Sequence, residues 1–250
     1  MDGKHGKHID AMSTATFQPS GWDHKAVLAL TVAAALVLVF GGDAIRRLQG
    51  DRAIRYSAAS LLAVIGGTAW VRNVAEGLIV FPFHLCDVAL VTMVWALIRP
   101  KDRLVSELTF YWSLAGSTQA LLTPDLAHAF PSFRWISFFL LHLGLILGAI
   151  YLTVREHLIL RPASVGRAWI STNAYAAVAG LLNWQVGANF GFLARKPANP
   201  SLLDYLGPWP YYILACEGIA LALFTLCYGF ARLVEHRAQG NACNKVARER

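Results

Sequence analysis

Residues 135–154 read WISFFLLHLGLILGAIYLTV, and this stretch decides the class of fold. It contains no Asp, Glu, Lys or Arg, and a helix rising 1.5 Å per residue over this length covers the roughly 30 Å hydrocarbon core of a bilayer. Six other stretches are comparably long and apolar. We therefore predict an all-α, polytopic membrane protein with seven transmembrane helices, at residues 25–40, 54–71, 78–98, 104–122, 135–154, 168–193 and 210–233.

The composition agrees with this class, because 56% of the residues are hydrophobic and only 15% are charged. The spans use most of the chain, so we predict one transmembrane domain (25–233) between a polar N-terminal tail (1–24) and a basic cytoplasmic tail (234–250). Nucleic-acid binding is not expected, since the basic residues form no face outside the spans beyond that short tail.

The positive charges predict the orientation. Of the 22 Lys and Arg residues, fifteen fall in the connectors after spans 1, 3 and 5 or in the C-terminal region, and seven fall on the other side. Cytoplasmic loops hold the excess of positive charge. We expect the N-terminus outside and the C-terminus inside.

Polar residues of the spans gather at one predicted depth, in the outer half of the bilayer. Ionisable groups in hydrocarbon are costly, so such a layer predicts a functional pocket. Cys86 is its one strong nucleophile, and His142, on another helix at matching depth, is the natural base for it. His84 and Asp87 share one helix face, and an Asp beside a His can orient an imidazole. The other members of the predicted pocket are Gln119, Asn183, Gln185, Asn189 and Glu217.

Two roles are open for the amides of Asn183, Gln185 and Asn189: they can stabilise an oxyanion, or they can simply hydrogen-bond one helix to another.

Two roles are also open for the loop at 195–210. Its prolines and apolar residues predict a segment lying over the outer mouth, either a lid or headgroup site carried by Asp204, Tyr205 and Trp209 or an ordered interfacial linker.

Several of these motifs together resemble the YwaF-like integral membrane proteins of bacteria. They are Phe83–Asp87, Leu122–Asp125, Phe138–His142, Asn183–Trp184 and Leu202–Pro210, about 130 residues over spans 3 to 7. A eukaryotic branch of that family is a cysteine-dependent acyltransferase of ether phospholipids. The resemblance implies that Cys86 matches the nucleophile and His142 its partner, and that the protein lies in the cytoplasmic (inner) membrane of a bacterium.

We therefore expect an enzyme, without cofactor or metal, that moves an acyl group to or from a phospholipid, lysophospholipid or fatty-acyl ester through a cysteine thioester. Transfer and hydrolysis differ only in the acceptor, and both stay open. A transporter that uses the same pocket is the main alternative, although the chain shows no repeated halves of the kind common in carriers. A zinc hydrolase using His84, Asp87 and His142 is a weaker alternative, because zinc sites favour more histidines.

Overall fold

The computed structural model describes residues 16–41, 51–77, 81–156 and 158–248, with side chains described as far as residue 237. Most of the predicted N-terminal tail, the connector arginines Arg46 and Arg47, and the predicted start of span 3 at Leu78 lie outside the described residues. So do the last two residues and the side chains of most of the predicted cytoplasmic tail.

Seven helical rods make up the described part of the chain. They are α1 (Trp22–Phe40), α2 (Asp51–Ala75), α3 (Leu85–Ile98), the interrupted rod of α4 (Arg103–Tyr111), a π-helical turn (Trp112–Gly116) and α5 (Ser117–Leu122), then α6 (Phe133–Val154), α7 (Ala163–Val186) and α8 (Tyr211–Arg248). Short 3-10 turns at Phe190–Phe192 and Leu202–Tyr205 lie between α7 and α8. The all-α class is confirmed across these residues.

Four helices are long and apolar enough to cross a membrane: Trp22–Phe40, Arg52–Ala75, Phe133–Val154 and the Tyr211–Arg237 part of α8. The apolar helix α3 has 14 residues and is about 21 Å long, which is short of a bilayer core. The rods at 103–122 and 163–186 carry more polar and charged residues. Four candidate spans are thus shown, and the seven-span count stays a prediction.

Three predicted boundaries differ from the helix ends. Span 3 was placed from residue 78, but α3 begins at Leu85, after Pro82 fixes its own φ and removes a donor. Span 6 was extended to residue 193, but α7 ends at Val186 because Gly187 takes the left-handed conformation with φ of 68°. Span 7 was ended at residue 233, whereas α8 continues to Arg248.

Three glycine contacts fix how α2, α3 and α6 run beside one another. A Cβ at Gly144 would lie 2.6 Å from Cδ2 of Leu62, and one at Gly148 would lie 2.6 Å from Sδ of Met93. Gly66 lies against Leu90 and Leu141 in the same way. Leu90 on α3 and Leu141 on α6 both lie beside Gly66, and Met93 on α3 lies beside Gly148 on α6. Residue numbers therefore increase in the same direction along α3 and α6. It follows that α3 and α6 are parallel and that α2 is antiparallel to both.

Ion pairs mark the two ends of the bundle. At one end Glu107, only 1% exposed, accepts hydrogen bonds from Arg103 and Arg167. At the other end Glu76 pairs with Arg72 and Arg134. We call these the Glu107 end and the Glu76 end. They hold α4 to α7 and the end of α2 to the start of α6.

Candidate functional site

The start of α3 is built by a helix cap. The backbone N–H of His84 donates to Oδ2 of Asp87 at 2.8 Å, so the carboxylate satisfies a backbone group that would otherwise lack a partner at the helix start. The His84 ring itself lies against Phe190 and Phe192, with ring centroids 5.7 Å away in both cases. Asp87 thus caps the helix, and its described hydrogen bond goes to the His84 backbone rather than to the imidazole.

Cys86 is half-buried in the first turn of α3, and its depth follows from the Met93–Gly148 contact. Cys86 precedes Met93 by seven residues, or about 10.5 Å along α3, and His142 precedes Gly148 by six, or about 9 Å along α6. Because the two helices are parallel, this contact puts Cys86 and His142 about 1.5 Å apart in level, and the shared contact of Leu90 and Leu141 with Gly66 puts them about 7.5 Å apart. Seven residues are nearly two full turns, so Cys86 shares the face of Met93 that is turned to α6.

His142 is 5% exposed on the buried flank of α6. Its position is about 120° around the helix from Gly148, past the buried Leu145 and Ala149, in the direction of Trp135, Phe139 and α5. The opposite flank carries the exposed Leu140. His142 therefore lies in the interior between the face that meets α3 and the face that meets α5.

The His142 ring has a defined tautomer. Its Nδ1 is 2.7 Å from the carbonyl oxygen of Phe138, and a carbonyl only accepts, so Nδ1 carries the proton. The Phe138 ring stacks beside the imidazole with centroids 4.2 Å apart. Nε2 is left as a base, and among the described residues no hydrogen bond reaches it. A fixed ring with a free basic nitrogen is what a general base requires.

The segment between α7 and α8 packs over this end through a set of backbone anchors. Asn183 is buried and both donates to and accepts from the backbone of Phe190, at 3.0 and 2.7 Å. Asn189 bonds the backbone of Ala194 and Arg195. Tyr212 donates to the Phe192 carbonyl at 2.5 Å. The amides of Asn183 and Asn189 are thus engaged in holding the loop.

The other predicted pocket residues fall into separate places. Gln185 is exposed and Gln119 is half-buried on α5. The Glu217 carboxylate accepts from Asn173 at 2.9 Å, which joins α8 to α7. Asp204 accepts from the backbone N–H of Ser201 and so caps a 3-10 turn. Tyr205 and Trp209 are exposed, and the Trp209 indole donates to the Leu193 carbonyl at 3.1 Å.

Two residues that the sequence did not single out belong to this region. Tyr175 donates to the Phe83 carbonyl at 2.9 Å, beside the start of α3, and Asn173 is the partner of Glu217. In the sequence, the only feature that points to either residue is a polar side chain within an apolar helix. Within the described ranges no group of three or more His, Cys, Asp or Glu side chains is placed to hold a metal ion.

The model of one protein family, described as the TMEM164 family, matches residues 17–228. The match begins before α1 and ends within α8, so it includes the first two helices, which the YwaF-like motifs leave out. No curated protein and no solved structure matches the chain. Membership of a multi-pass membrane family agrees with the four candidate spans.

Proposed function

Since the chain belongs to the TMEM164 family, a family of transmembrane proteins, we propose that it is a membrane enzyme that transfers acyl groups of lipids through a thioester on Cys86. The observation that supports the proposal is that Cys86 and His142 lie toward the Glu76 end of adjacent parallel helices, and that Nε2 of His142 accepts no hydrogen bond from the described residues. The substrate is a phospholipid, a lysophospholipid or another fatty-acyl ester.

The proposed chemistry has two balanced halves. The Cys86 sulfur attacks the ester carbonyl carbon while its proton passes to Nε2 of His142. The ester C–O bond then breaks, and the departing lysolipid oxygen takes that proton. In the second half an acceptor hydroxyl gives its proton to Nε2 and attacks the thioester carbonyl, and the sulfur leaves and regains a proton. Moving the proton during the attack avoids a standing ion pair in a low-dielectric interior, where separated charges are costly.

The proposal includes the topology. We propose that all seven rods cross the bilayer of a bacterial inner membrane, with the N-terminus and the Glu76 end outside and the C-terminus inside. The excess of Lys and Arg on the Glu107 side supports this orientation. The exposed Tyr205 and Trp209 would then lie at the outer interface, where aromatic side chains are enriched, over the mouth of the pocket.

The decisive experiment compares cysteines of one chain. Purified protein in liposomes is given a phospholipid with a labelled acyl chain, and label held on the protein by a hydroxylamine-sensitive bond is measured along with product lipid. Cys86→Ala should lose both signals. Cys216→Ala and Cys227→Ala are matched controls, since both are half-buried helical cysteines, and they should keep both. Equal label and turnover in Cys86→Ala and wild type would refute the mechanism.

A second measurement in the same liposomes, proton-driven uptake of a solute, distinguishes a transporter from an acyl-transfer enzyme. The Glu217–Asn173 pair between α7 and α8 is the feature that favours it, because a paired carboxylate within a bundle is typical of proton-coupled carriers. Proton-driven uptake of a solute that persists in Cys86→Ser and fails in Glu217→Gln would support transport in place of acyl transfer.

A further inference from the structure

Three buried hydroxyls on one face of the interrupted rod have no hydrogen-bond partner among the described residues. They are Thr109 and Ser113, both 0% exposed, and Ser117, 2% exposed. We call them the hydroxyl stripe. Leaving a buried hydroxyl unpaired costs roughly 1–3 kcal/mol, so such groups call for an explanation.

Threonine hydroxyls in other helices of this chain donate hydrogen bonds to the backbone of their own helix. Thr31, Thr153, Thr172 and Thr225 each donate to the carbonyl four residues earlier, at 2.8 to 3.0 Å. The hydroxyls of the stripe do not make this bond to the backbone of their own helix. The hydroxyl stripe also runs through the π-helical turn Trp112–Gly116, a local form that occurs often at functional sites.

Ser113, in the middle of the hydroxyl stripe, faces the interior on the side of α3 and α6. Tyr111 bonds Ser164, and Trp112 bonds Thr172, so these two neighbours turn toward α7. Tyr111 also lies 5.3 Å from the ring of Phe224 on α8. Residues two positions apart on a helix point about 200° apart, so Ser113 is turned away from Tyr111 and α7. The π turn also packs on α3 and α6.

Ser117 lies at the level of the proposed site by two independent routes. The first route starts at the Glu107 end, where α3 ends at Ile98 and α4 begins at Arg103. Cys86 is twelve residues from Ile98, about 18 Å, and Ser117 is fourteen residues from Arg103, about 21 Å. The second route starts at His24, which donates to the Leu121 carbonyl at 2.7 Å and whose ring lies 5.9 Å from Phe139.

Leu121 on α5 and Phe139 on α6 both lie beside His24, and the two helices are antiparallel. Distances along both helices are therefore counted from this level toward the Glu107 end. Ser117 is four residues, or about 6 Å, below Leu121, and His142 is three residues, or about 4.5 Å, below Phe139. Both routes bring Ser117 within about 3 Å of the level of its partner residue, less than one helical turn. Thr109 is two further turns toward the Glu107 end.

From this placement we propose that Ser117 is a catalytic hydrogen-bond donor that binds the ester carbonyl oxygen of the lipid acyl group and stabilises the oxyanion formed when Cys86 attacks. The inference rests on the proposed acyl transfer and assigns the oxyanion donor to Ser117 in place of the amides of Asn183, Gln185 and Asn189. Asn183 is engaged with Phe190, and Gln185 is exposed, whereas the Ser117 hydroxyl is buried and finds no partner in the part of the chain that the structure describes.

The role of Ser117 is that of a fixed dipole. Its O–H keeps its proton throughout and donates to the carbonyl oxygen as the charge on that oxygen grows. The carbonyl carbon meanwhile gains the sulfur and then loses the ester oxygen. A donor already aimed at the developing charge in a water-poor interior lowers the barrier without further reorganisation.

The test compares Ser117→Ala with Thr109→Val, which removes an equally buried, equally unpartnered hydroxyl too deep to reach the ester. Ser117→Ala should slow formation of the labelled thioester on the order of 10²-fold, mostly in kcat and with KM nearly unchanged, because the bond strengthens in the transition state. Thr109→Val should stay near the wild-type rate, and Ser117→Thr should restore most of the loss.

The outcomes distinguish the two proposals. A Ser117→Ala rate close to wild type, in a protein whose Cys86→Ala variant is inactive, overturns the role of Ser117 and leaves acyl transfer standing. Equal losses in Ser117→Ala and Thr109→Val, with Ser117→Thr also slow, assign the effect to packing and overturn it as well. Full activity in Cys86→Ala overturns the proposed function and this inference with it.

Discussion

Replacing Arg167 with alanine tests how the polar rod of α4 is held in place. Glu107 is almost fully buried, and Arg167 donates to it twice, from Nε to Oε2 at 2.8 Å and from Nη2 to Oε1 at 2.9 Å. Arg103 donates once, from Nε to Oε1 at 2.8 Å. Arg167 comes from α7, whereas Arg103 is one turn away on the same helix as Glu107.

The magnitude follows from these bonds. A hydrogen bond to a charged group contributes roughly 1.5–3 kcal/mol, and two of them would give about 3–6 kcal/mol. Both arginine side chains are about 40% exposed, so water replaces part of each bond in the variant. We expect Arg167→Ala to lower the free energy of unfolding by about 3 kcal/mol and Arg103→Ala by about 1 kcal/mol.

Unfolding in mixed micelles, titrated with a denaturing detergent and followed by tryptophan fluorescence, measures this difference. Arg103→Ala is the matched control, since it removes a partner of the same carboxylate without separating two helices. Equal losses in the two variants, or a loss below about 0.5 kcal/mol in Arg167→Ala, would refute the reasoning.

Three further predictions concern the opposite end and the topology. Hydrogen bonds from Arg134 and then Arg72 lower the pKa of Glu76, so its stabilising effect should be present above the ordinary carboxyl range and lost as the pH falls through the lowered pKa. Acid unfolding of Glu76→Gln should therefore depend less on pH in that window, and an unchanged profile would contradict the pairing. Asn183→Ala should destabilise the protein by about 2 kcal/mol and speed proteolysis at 187–196, because two buried loop bonds are lost, whereas the exposed Gln185→Ala should do neither. A fluorescent protein fused after residue 250 should fold and fluoresce inside the cell, and a cysteine at position 196 should react with an impermeant reagent from outside; the reverse pattern would invert the proposed orientation.

Sequence patterns predicted the helices better than their ends. Long apolar runs such as 135–154 fix a helix because a single interaction, burial of apolar surface, dominates them. The sequence predicts the stretch at 104–122 as one plain span, whereas the structure has a π turn within it that packs on α3, α6 and α8, contacts that a local pattern does not encode. The start of α3 depended on Pro82 and the His84–Asp87 cap, which shortened the predicted span.

The sequence offers Cys86 and His142 as candidates for the site, and their reactivity stays a prediction. A cysteine and a histidine in apolar helices stand out because their burial is costly, and counting residues along the predicted spans predicts a similar depth for both. The amides stand out for the same reason, yet Asn183 and Asn189 bond backbone groups of a loop whose path no pattern encodes. Ser117 gave no signal, since serine in such helices normally bonds its own backbone.

The most direct measurement asks whether the side chains at positions 86 and 142 meet. In protein lacking Cys216, Cys227 and Cys243, His142→Cys should join Cys86 through a short bis-thiosulfonate reagent, and a protease site inserted at 123–132 would show the link as two fragments that stay together. Leu140→Cys is the control, because it is exposed and lies about 200° around α6. Linkage in His142→Cys and its absence in Leu140→Cys is the predicted result. Linkage in Leu140→Cys alone would place the thiol and the imidazole on different surfaces and contradict the account.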